Sequence, residues 1–148
     1  MPSLSKAPLE SIKKLIYSTG FYNAKAKNIK ALATTLVKNH GGKIPPDFET
    51  LVKLPGIGRK TANVVMATAF DRACGIVVDT HVRRITQRLG LTLKKTPEQI
   101  EKDLMAYLPH KYWKDMSLYI IFHGRKFCMA RKPRCADCFI ADLCPRML

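Results

Sequence analysis

The segment from Leu54 to Ala62, which reads LPGIGRKTA, constrains the fold more than any other part of the chain. Pro55 cannot continue the hydrogen-bond ladder of a helix, so a preceding helix must end there. Gly56 and Gly58 permit a positive φ and let another backbone approach closely, and Ile57 between them is expected to point inward as an anchor. The segment is therefore predicted to form a tight hairpin between two helices.

The helix after this hairpin is predicted to begin near Arg59. Its free N–H groups and the positive end of its dipole then face outward, and such a helix end holds a phosphate without reading a base. A helix-hairpin-helix of this kind grips the DNA backbone regardless of sequence. The candidate DNA-contacting residues are Gly56, Ile57, Gly58, Arg59 and Thr61. The alternative is an ordinary corner between two helices, because short glycine motifs are common.

Positive charge is the unusual feature of the composition: 26 Lys and Arg against 11 Asp and Glu give a formal net charge of +15 and a pI near 9.9. Such a surplus favours a polyanion as partner through counterion release. A cationic helix on a membrane surface is the rival, but the positive residues are spread along the chain instead of filling one helix face. No apolar run approaches the roughly 20 residues that span a bilayer, and no export signal precedes the domain, so secretion is not expected.

Apolar residues recur at helical spacing along the chain, and we find no alternating strand pattern, internal repeat or low-complexity segment. The fold class is therefore predicted to be all-α. Helices are predicted from Pro8 to Ser18, from an N-cap at Asn23 to Gly41, before and after the hairpin, after an N-cap at Asp79, from Thr96 to about Leu108 and from Lys111 to Lys126.

Four of the five cysteines fall within seventeen residues with the spacing C-x6-C-x2-C-x5-C, and Cys74 stands alone. The four are Cys128, Cys135, Cys138 and Cys144. Thiolates gathered in this way can surround one metal centre. A structural zinc usually uses two C-x2-C pairs and only one is present, which favours an iron–sulfur cluster over zinc. Two disulfides are the remaining alternative, disfavoured in a chain without an export signal. Cys74 is expected to be a small buried core residue.

The loop between the first two of these cysteines carries Arg131, Lys132 and Arg134 around Pro133. A metal centre would hold such a loop rigid, and a rigid positive loop suits contact with phosphate. The alternative is a loop whose charges are simply solvated.

Three motifs together resemble one family, the endonuclease III DNA glycosylases. They are the hairpin LPGIGRKTA, the segment VDTHVRRI with Asp79 nineteen residues after Lys60, and the closing cysteine pattern. The resemblance covers the chain from about Leu9 to Cys144. It implies a helix-hairpin-helix glycosylase fold of two parts: residues 1–72 as part of a helical barrel with the hairpin at 54–62, and residues 73–148 as a helical domain with a [4Fe-4S] cluster bound by the loop 128–144. It also implies that double-stranded DNA containing damaged bases or abasic sites binds across the cleft between them.

The same resemblance implies a bifunctional enzyme of base-excision repair, which removes oxidised pyrimidines and cleaves the abasic site by β-elimination through a lysine Schiff base. Lys60 matches the family's nucleophile and Asp79 its essential carboxylate partner. The chemistry agrees, because a fixed carboxylate stabilises the positive charge that develops on deoxyribose as the base leaves. The positive helix end and the neighbouring Arg59 disfavour the charged form of the amine, which must be neutral to attack. The alternatives are a solvated surface lysine and an aspartate that only caps its helix.

To reach a base within a duplex, such an enzyme must flip it and fill the gap. Phe21 stands where the family places an apolar wedge, but an aromatic residue before a helix start is also typical of a hydrophobic staple. His81 and His123 could approach DNA or form hydrogen bonds in the core, and for His123 the core is preferred.

Two rival functions remain open. The first is a monofunctional mismatch or adenine glycosylase of the same superfamily, whose members lack a lysine at the position of Lys60. The second is a non-enzymatic iron–sulfur module that binds DNA. Asp79 argues against the second, because a pure DNA binder gains nothing from an anion set near phosphates. The expected location is the cytoplasm or nucleoid in a prokaryote and the nucleus or mitochondrion in a eukaryote.

Family members normally carry further helices before the point that matches Leu9, and only Met1 to Lys6 and two more residues precede it here. Apolar helix stripes are therefore expected to be uncovered, and an exposed patch of this kind favours association. The stripes include Ile12, Ile16, Ile29 and Leu36. Although family members are monomers, the chain is expected to be a fragment of a longer protein or to be completed by a partner or by dimerisation.

Overall fold

The computed structural model describes residues 1–147, and within them it contains α-helices, short 3-10 turns and no β-strand, so the all-α prediction is confirmed. The helices are α1 Pro2–Lys6, α2 Leu9–Leu15, α3 Tyr22–His40, α4 Phe48–Val52, α5 Arg59–Ala69, α6 Thr80–Arg88, α7 Pro97–Tyr107 and α8 Trp113–Lys126. The 3-10 turns are His110–Tyr112, Cys135–Asp137 and Ala141–Leu143. Within residues 1–147 no helix combines the length and apolar character required to cross a bilayer.

The chain divides into two compact units, Met1–Ala62 and the part from Asn63 onward. In the first unit α1 and α2 both pack against α3. The expectation of an uncovered apolar stripe is wrong for this unit: Ile12 is 3% exposed and Leu36 1%, while Ile16 and Ile29 are half-buried. Part of the cover on α3 comes from α1, a helix that the sequence did not predict.

Helix α3 begins one residue before the predicted N-cap Asn23, which lies inside the helix. The N-cap is Phe21, whose backbone is left-handed with φ 58° and ψ 31°. The C-terminus agrees with the prediction: Gly41 has φ 59°, and the Gly42 N–H donates to the Leu36 carbonyl at 2.8 Å. Glycine is the residue that adopts this left-handed ending at least cost.

The second unit is built around a core that α6, α7 and α8 share with residues 70–79, the connector between α5 and α6. The core consists of Ile76, Val78, Val82, Ile85, Ile100, Leu104 and Ile120. Ile76 and Val78 come from the connector itself, so this irregular segment is pinned by its own buried side chains. Burying one such side chain contributes about 1.5–3 kcal/mol. The predicted N-cap of α7 is also confirmed, since Thr96 Oγ1 accepts the Gln99 N–H at 3.4 Å.

Candidate functional site

The predicted hairpin joins α4 to α5, and its two glycines differ. Gly56 has φ 74°, and a Cβ placed there would lie 2.8 Å from the Cβ of Asn28, so the approach of α3 requires glycine. Gly58 has no positive φ, and no other heavy atom lies within 4 Å of where its Cβ would be, so the fold itself does not require glycine at this position. Ile57 is half-buried and its N–H donates to the Leu54 carbonyl at 3.1 Å. The tight turn is thus held from within the first unit.

The first turn of α5 presents three exposed residues, Arg59, Lys60 and Thr61. It contains no acidic residue, and the Arg59 guanidinium lies 5.0 Å from the centre of the Phe48 ring in a cation–π contact. The first N–H groups of a helix have no partner within the helix, and its dipole is positive at this end. This helix end therefore combines two cationic side chains with donors suited to an anion.

Asp79 is the half-buried N-cap of α6. Its Oδ1 accepts the N–H groups of His81 and Val82, each at 2.8 Å. Within residues 1–147 its second oxygen, Oδ2, accepts no hydrogen bond. One carboxylate therefore caps the helix with one oxygen and keeps the other available, so the predicted cap does not exclude a second role.

His81 lies half-buried on α6, with ring Nδ1 3.2 Å from the Nη2 atom of Arg84. Because arginine can only donate, Nδ1 is the acceptor in this contact. The same Nη2 of Arg84 donates to the carbonyl of Cys128 at 3.0 Å. His81 is thus part of a link between α6 and the cysteine segment.

All five cysteines are free thiols, so the disulfide alternative is wrong. The four clustered cysteines line one cavity with about 380 Å³ of space not filled by protein atoms, part of it open to solvent. They are Cys128, Cys135, Cys138 and Cys144. Cys74 is half-buried, not part of the core as expected, and its Sγ lies 3.9 Å from the Arg72 carbonyl.

The four clustered cysteines bring sulfur donors to one cavity. Within residues 1–147, no group of three or more His, Cys, Asp or Glu side chains is arranged to hold a single metal ion. Four soft sulfur donors at one cavity are nevertheless the ligand type of an iron–sulfur group.

Two further side chains reach these thiols. Arg88 Nη1 donates to Cys128 Sγ at 3.4 Å and to the Met129 carbonyl at 2.7 Å. His123 Nε2 lies 3.9 Å from Cys138 Sγ, so His123 belongs to the wall of the cavity instead of the core where it was expected. Burial lowers the pKa of His123. The sequence did not assign Arg88, although its helical spacing of four from Arg84 indicated that both share one face of α6.

The positive loop after Cys128 is exposed at Arg131, Lys132 and Arg134, but the three differ. Lys132 has a left-handed backbone with φ 51°. Arg134 forms an ion pair with Asp137, at 2.7 Å from Nη2 to Oδ2 and 2.9 Å from Nε to Oδ2. The loop therefore offers two cations for an external anion and a third that already has an intramolecular partner.

Phe21 is 89% exposed, and this excludes its alternative role as a hydrophobic staple. A bulky side chain held in a left-handed conformation on the surface is uncommon for a non-glycine residue. The ring therefore projects into solvent from the N-terminus of α3.

Two family models match the chain. The model of the HhH-GPD superfamily of base excision DNA repair proteins matches residues 1–110, and the model of the iron–sulfur binding domain of endonuclease III matches residues 128–144. Among curated proteins, Endonuclease III of Synechocystis sp. is 48% identical over 143 residues, 97% of this chain and 65% of its own length. Endonuclease III of Escherichia coli is 44% identical over 136 residues, 92% of this chain and 64% of its own length.

Solved structures agree with these matches. A non-covalent Endonuclease III–DNA complex superimposes with a TM-score of 0.91 at 40% identity, over 99% of this chain and 68% of that one. A trapped Endonuclease III–DNA covalent intermediate gives a TM-score of 0.90 at 40% identity, over 97% of this chain and 68% of that one. The chain spans slightly less than two thirds of the length of the curated relatives named above.

The matched iron–sulfur segment runs from Cys128 to Cys144, and the four thiols of this segment line the cavity described above. The cofactor is a [4Fe-4S] cluster. The superfamily model spans both units, from residue 1 to residue 110, and includes the hairpin and Asp79. The chain belongs to the HhH-GPD superfamily of base excision DNA repair proteins.

Proposed function

We propose that this chain carries the catalytic activity of a bifunctional DNA glycosylase, which removes an oxidised pyrimidine and then cleaves the abasic site by β-elimination. The observation that carries the proposal is the accessibility of the two candidate catalytic groups. Lys60 is exposed in the first turn of α5, and Asp79 has a carboxylate oxygen without a hydrogen bond among the described residues. The relatives named Endonuclease III support it, as does the solved covalent intermediate of one such protein with DNA.

In the proposed reaction, the neutral Lys60 amine attacks C1′ of the damaged nucleotide. The bond from C1′ to the base breaks, and the base leaves with the electron pair and takes up a proton. Asp79 stabilises the positive charge that develops on the deoxyribose. The C1′–O4′ bond of the sugar ring then breaks, O4′ takes up a proton, and the nitrogen lone pair forms a protonated imine at C1′. This imine loses a proton from C2′, and the C3′–O bond breaks to release the 3′ phosphate. Water then hydrolyses the imine and restores the lysine.

The same proposal assigns the DNA contacts. The hairpin residues Gly56, Ile57, Gly58, Arg59 and Thr61 bind the backbone of a damaged duplex, together with Arg131, Lys132 and Arg134. Phe21 acts as the wedge beside the flipped base, and its exposed ring suits that role. His81 approaches the DNA near Asp79. The formal charge of +15 supports a polyanionic partner.

Cys128, Cys135, Cys138 and Cys144 are the proposed ligands of the cluster. When bound, the cluster fixes the C-terminal loop and so holds its arginine and lysine side chains for phosphate contact.

The proposed functional division of the chain is residues 1–72 for the barrel part and residues 73–148 for the cluster domain. Whether the protein is monomeric or associates is decided by its mass in solution.

The proposal is tested with a duplex that contains one oxidised pyrimidine. The wild-type protein should release the base and leave an unsaturated aldehyde at the 3′ end of the cut strand. Lys60→Gln should abolish the cut. If the wild-type protein released the base and left the abasic strand uncut, it would instead be a monofunctional glycosylase. If the wild-type protein bound DNA and released no base from any lesion duplex, it would be a DNA-binding module.

A further inference from the structure

The connector of residues 70–79, which ends at Asp79, is held by side chains at every second residue. Lys114 donates to the Asp71 carboxylate, and His110 Nε2 donates to the Ala73 carbonyl at 2.9 Å. The Asn63–Glu101 pair lies against Gly75. Ser117 Oγ donates to the Val77 carbonyl at 2.6 Å. Three of these anchors come from the 3-10 turn His110–Tyr112 and from α8. Side chains from other elements therefore contact the connector along its length, from Asp71 to Val77.

The anchor at Gly75 is buried. Asn63 and Glu101 are almost fully buried, and the Asn63 Nδ2 donates to Glu101 Oε1 at 2.7 Å. A Cβ at Gly75 would lie 2.0 Å from that same Oε1 atom. No side chain fits between the connector and this polar pair, so the backbone is in direct contact with it.

The anchor at Ser117 is closest to Asp79. Ser117 is 5% exposed, and its hydroxyl is the donor to a carbonyl two residues before Asp79. The residue between them, Val78, is buried in the core of the second unit. A partly buried hydrogen bond and a buried side chain thus fix the two residues that immediately precede the carboxylate. Without the Ser117 hydroxyl, the Val77 carbonyl would have to move to find another donor.

We propose that Ser117 is a positioning residue for Asp79, acting through the Val77 carbonyl; this rests on the catalytic role proposed for Asp79. A catalytic carboxylate has to be held within about 0.5 Å of its productive position. The end of the connector is short and irregular, and it has no helix or sheet hydrogen bonds of its own before α6 begins. Ser117 supplies the bond that a regular element would otherwise provide.

The test compares Ser117→Ala with Thr92→Val, a matched control. Thr92 is 4% exposed, and its hydroxyl donates to Asp103 Oδ2 at 2.6 Å, not to the connector. In single-turnover base release, Ser117→Ala should be slower than wild type by roughly ten- to a hundredfold, the penalty expected for a misplaced catalytic group. Its affinity for a duplex with an uncleavable abasic analogue should change less than about twofold. Thr92→Val should keep the wild-type rate, and Ser117→Thr, which retains the hydroxyl, should recover most of it.

A double variant separates positioning from general destabilisation. If Ser117 acts through Asp79, Ser117→Ala should add nothing to the loss already caused by Asp79→Asn. The proposal is overturned if the rate of the double variant falls by the product of the two single losses. It is also overturned if Ser117→Ala releases base at the same rate as Thr92→Val. Ser117→Cys keeps the shape with a weaker donor and covers the case in which Ser117→Ala does not fold. It should give an intermediate rate, and a wild-type rate would contradict the proposal.

Amide hydrogen exchange tests the same proposal without substrate. The His81 and Val82 amides are capped by Asp79, so they should exchange faster in Ser117→Ala or Ser117→Cys than in Thr92→Val. Unchanged protection of both amides would overturn the proposal. A wild-type protein that released no base would count against the proposed function alone, because the exchange result still decides the positioning role.

Discussion

Asp79 accepts the backbone N–H of Val82 through Oδ1 at 2.8 Å, and the same oxygen accepts the N–H of His81. One carboxylate oxygen thus accepts two backbone N–H groups at the start of α6, and Oδ2 makes no hydrogen bond within the described residues. The sequence offered a choice between a helix cap and a functional carboxylate. The two roles are compatible, because the cap uses only one of the two carboxylate oxygens.

The first prediction separates the cap from the charge at Asp79. Asn caps a helix about as well as Asp, so the free energy of unfolding of Asp79→Asn should lie within about 0.5 kcal/mol of the wild-type value. Asp79→Ala loses the cap, so its free energy of unfolding should be lower by about 1 kcal/mol. Both variants lack the charge, so both should release base roughly 10²- to 10³-fold more slowly. Chemical denaturation and single-turnover kinetics measure the two effects. An Asp79→Asn protein with near-wild-type turnover would leave Asp79 with the cap alone.

The second prediction uses the two hairpin glycines as a matched pair. Gly56→Ala places a Cβ 2.8 Å from Asn28 Cβ at a positive φ, so it should destabilise the protein by at least about 1–2 kcal/mol. Gly58→Ala has open space and an ordinary φ, so its stability should be unchanged or slightly higher. If the hairpin approaches phosphate at Gly58, that variant should still bind duplex DNA more weakly. Denaturation and binding isotherms check both, and equal destabilisation by the two variants would contradict the structure.

The third prediction concerns the positive loop. Arg131→Ala and Lys132→Gly should each lower the slope of log affinity against log salt by up to about one unit, without changing lesion preference. Glycine at position 132 also suits the φ of 51° there, so folding should not suffer. Arg134→Ala should change the slope less, because Arg134 is paired with Asp137. A preserved slope in all three variants would show that the loop does not touch phosphate.

The fourth prediction concerns the cluster. Protein purified without oxygen should be brown and contain about four irons per chain. Cys138→Ser should lose most of this iron and weaken DNA binding, while Cys74→Ser, outside the cavity, should keep both. Iron analysis and visible absorption measure the result. A colourless protein that contains one zinc would contradict the interpretation of the cavity.

The sequence predicted the elements whose signals are local. The N-caps Asp79 and Thr96 and the glycine end of α3 lie where their residue types predicted them. The helix α1 was missed because five residues cannot form a stable helix alone, and its packing on α3 is a tertiary effect. The left-handed Phe21 was missed for a related reason, since no propensity of phenylalanine favours that conformation.

The contacts that hold the site were beyond sequence reasoning because they join distant residues. Ser117 lies forty positions from Val77, and the Asn63–Glu101 pair joins residues 38 apart. Neither residue type marks such a role by itself. The motif residues were recognisable by their spacing, whereas the side chains that support them depend on how the helices pack.

The most direct measurement of the central claim is reductive trapping on an abasic duplex. Sodium borohydride reduces an imine between protein and deoxyribose to a stable amine, and digestion with mass spectrometry identifies the modified lysine. The account predicts one major adduct on the peptide that contains Lys60, with none in Lys60→Gln. An adduct on a different lysine or on the N-terminal amine, or an undiminished adduct in Lys60→Gln, would contradict it.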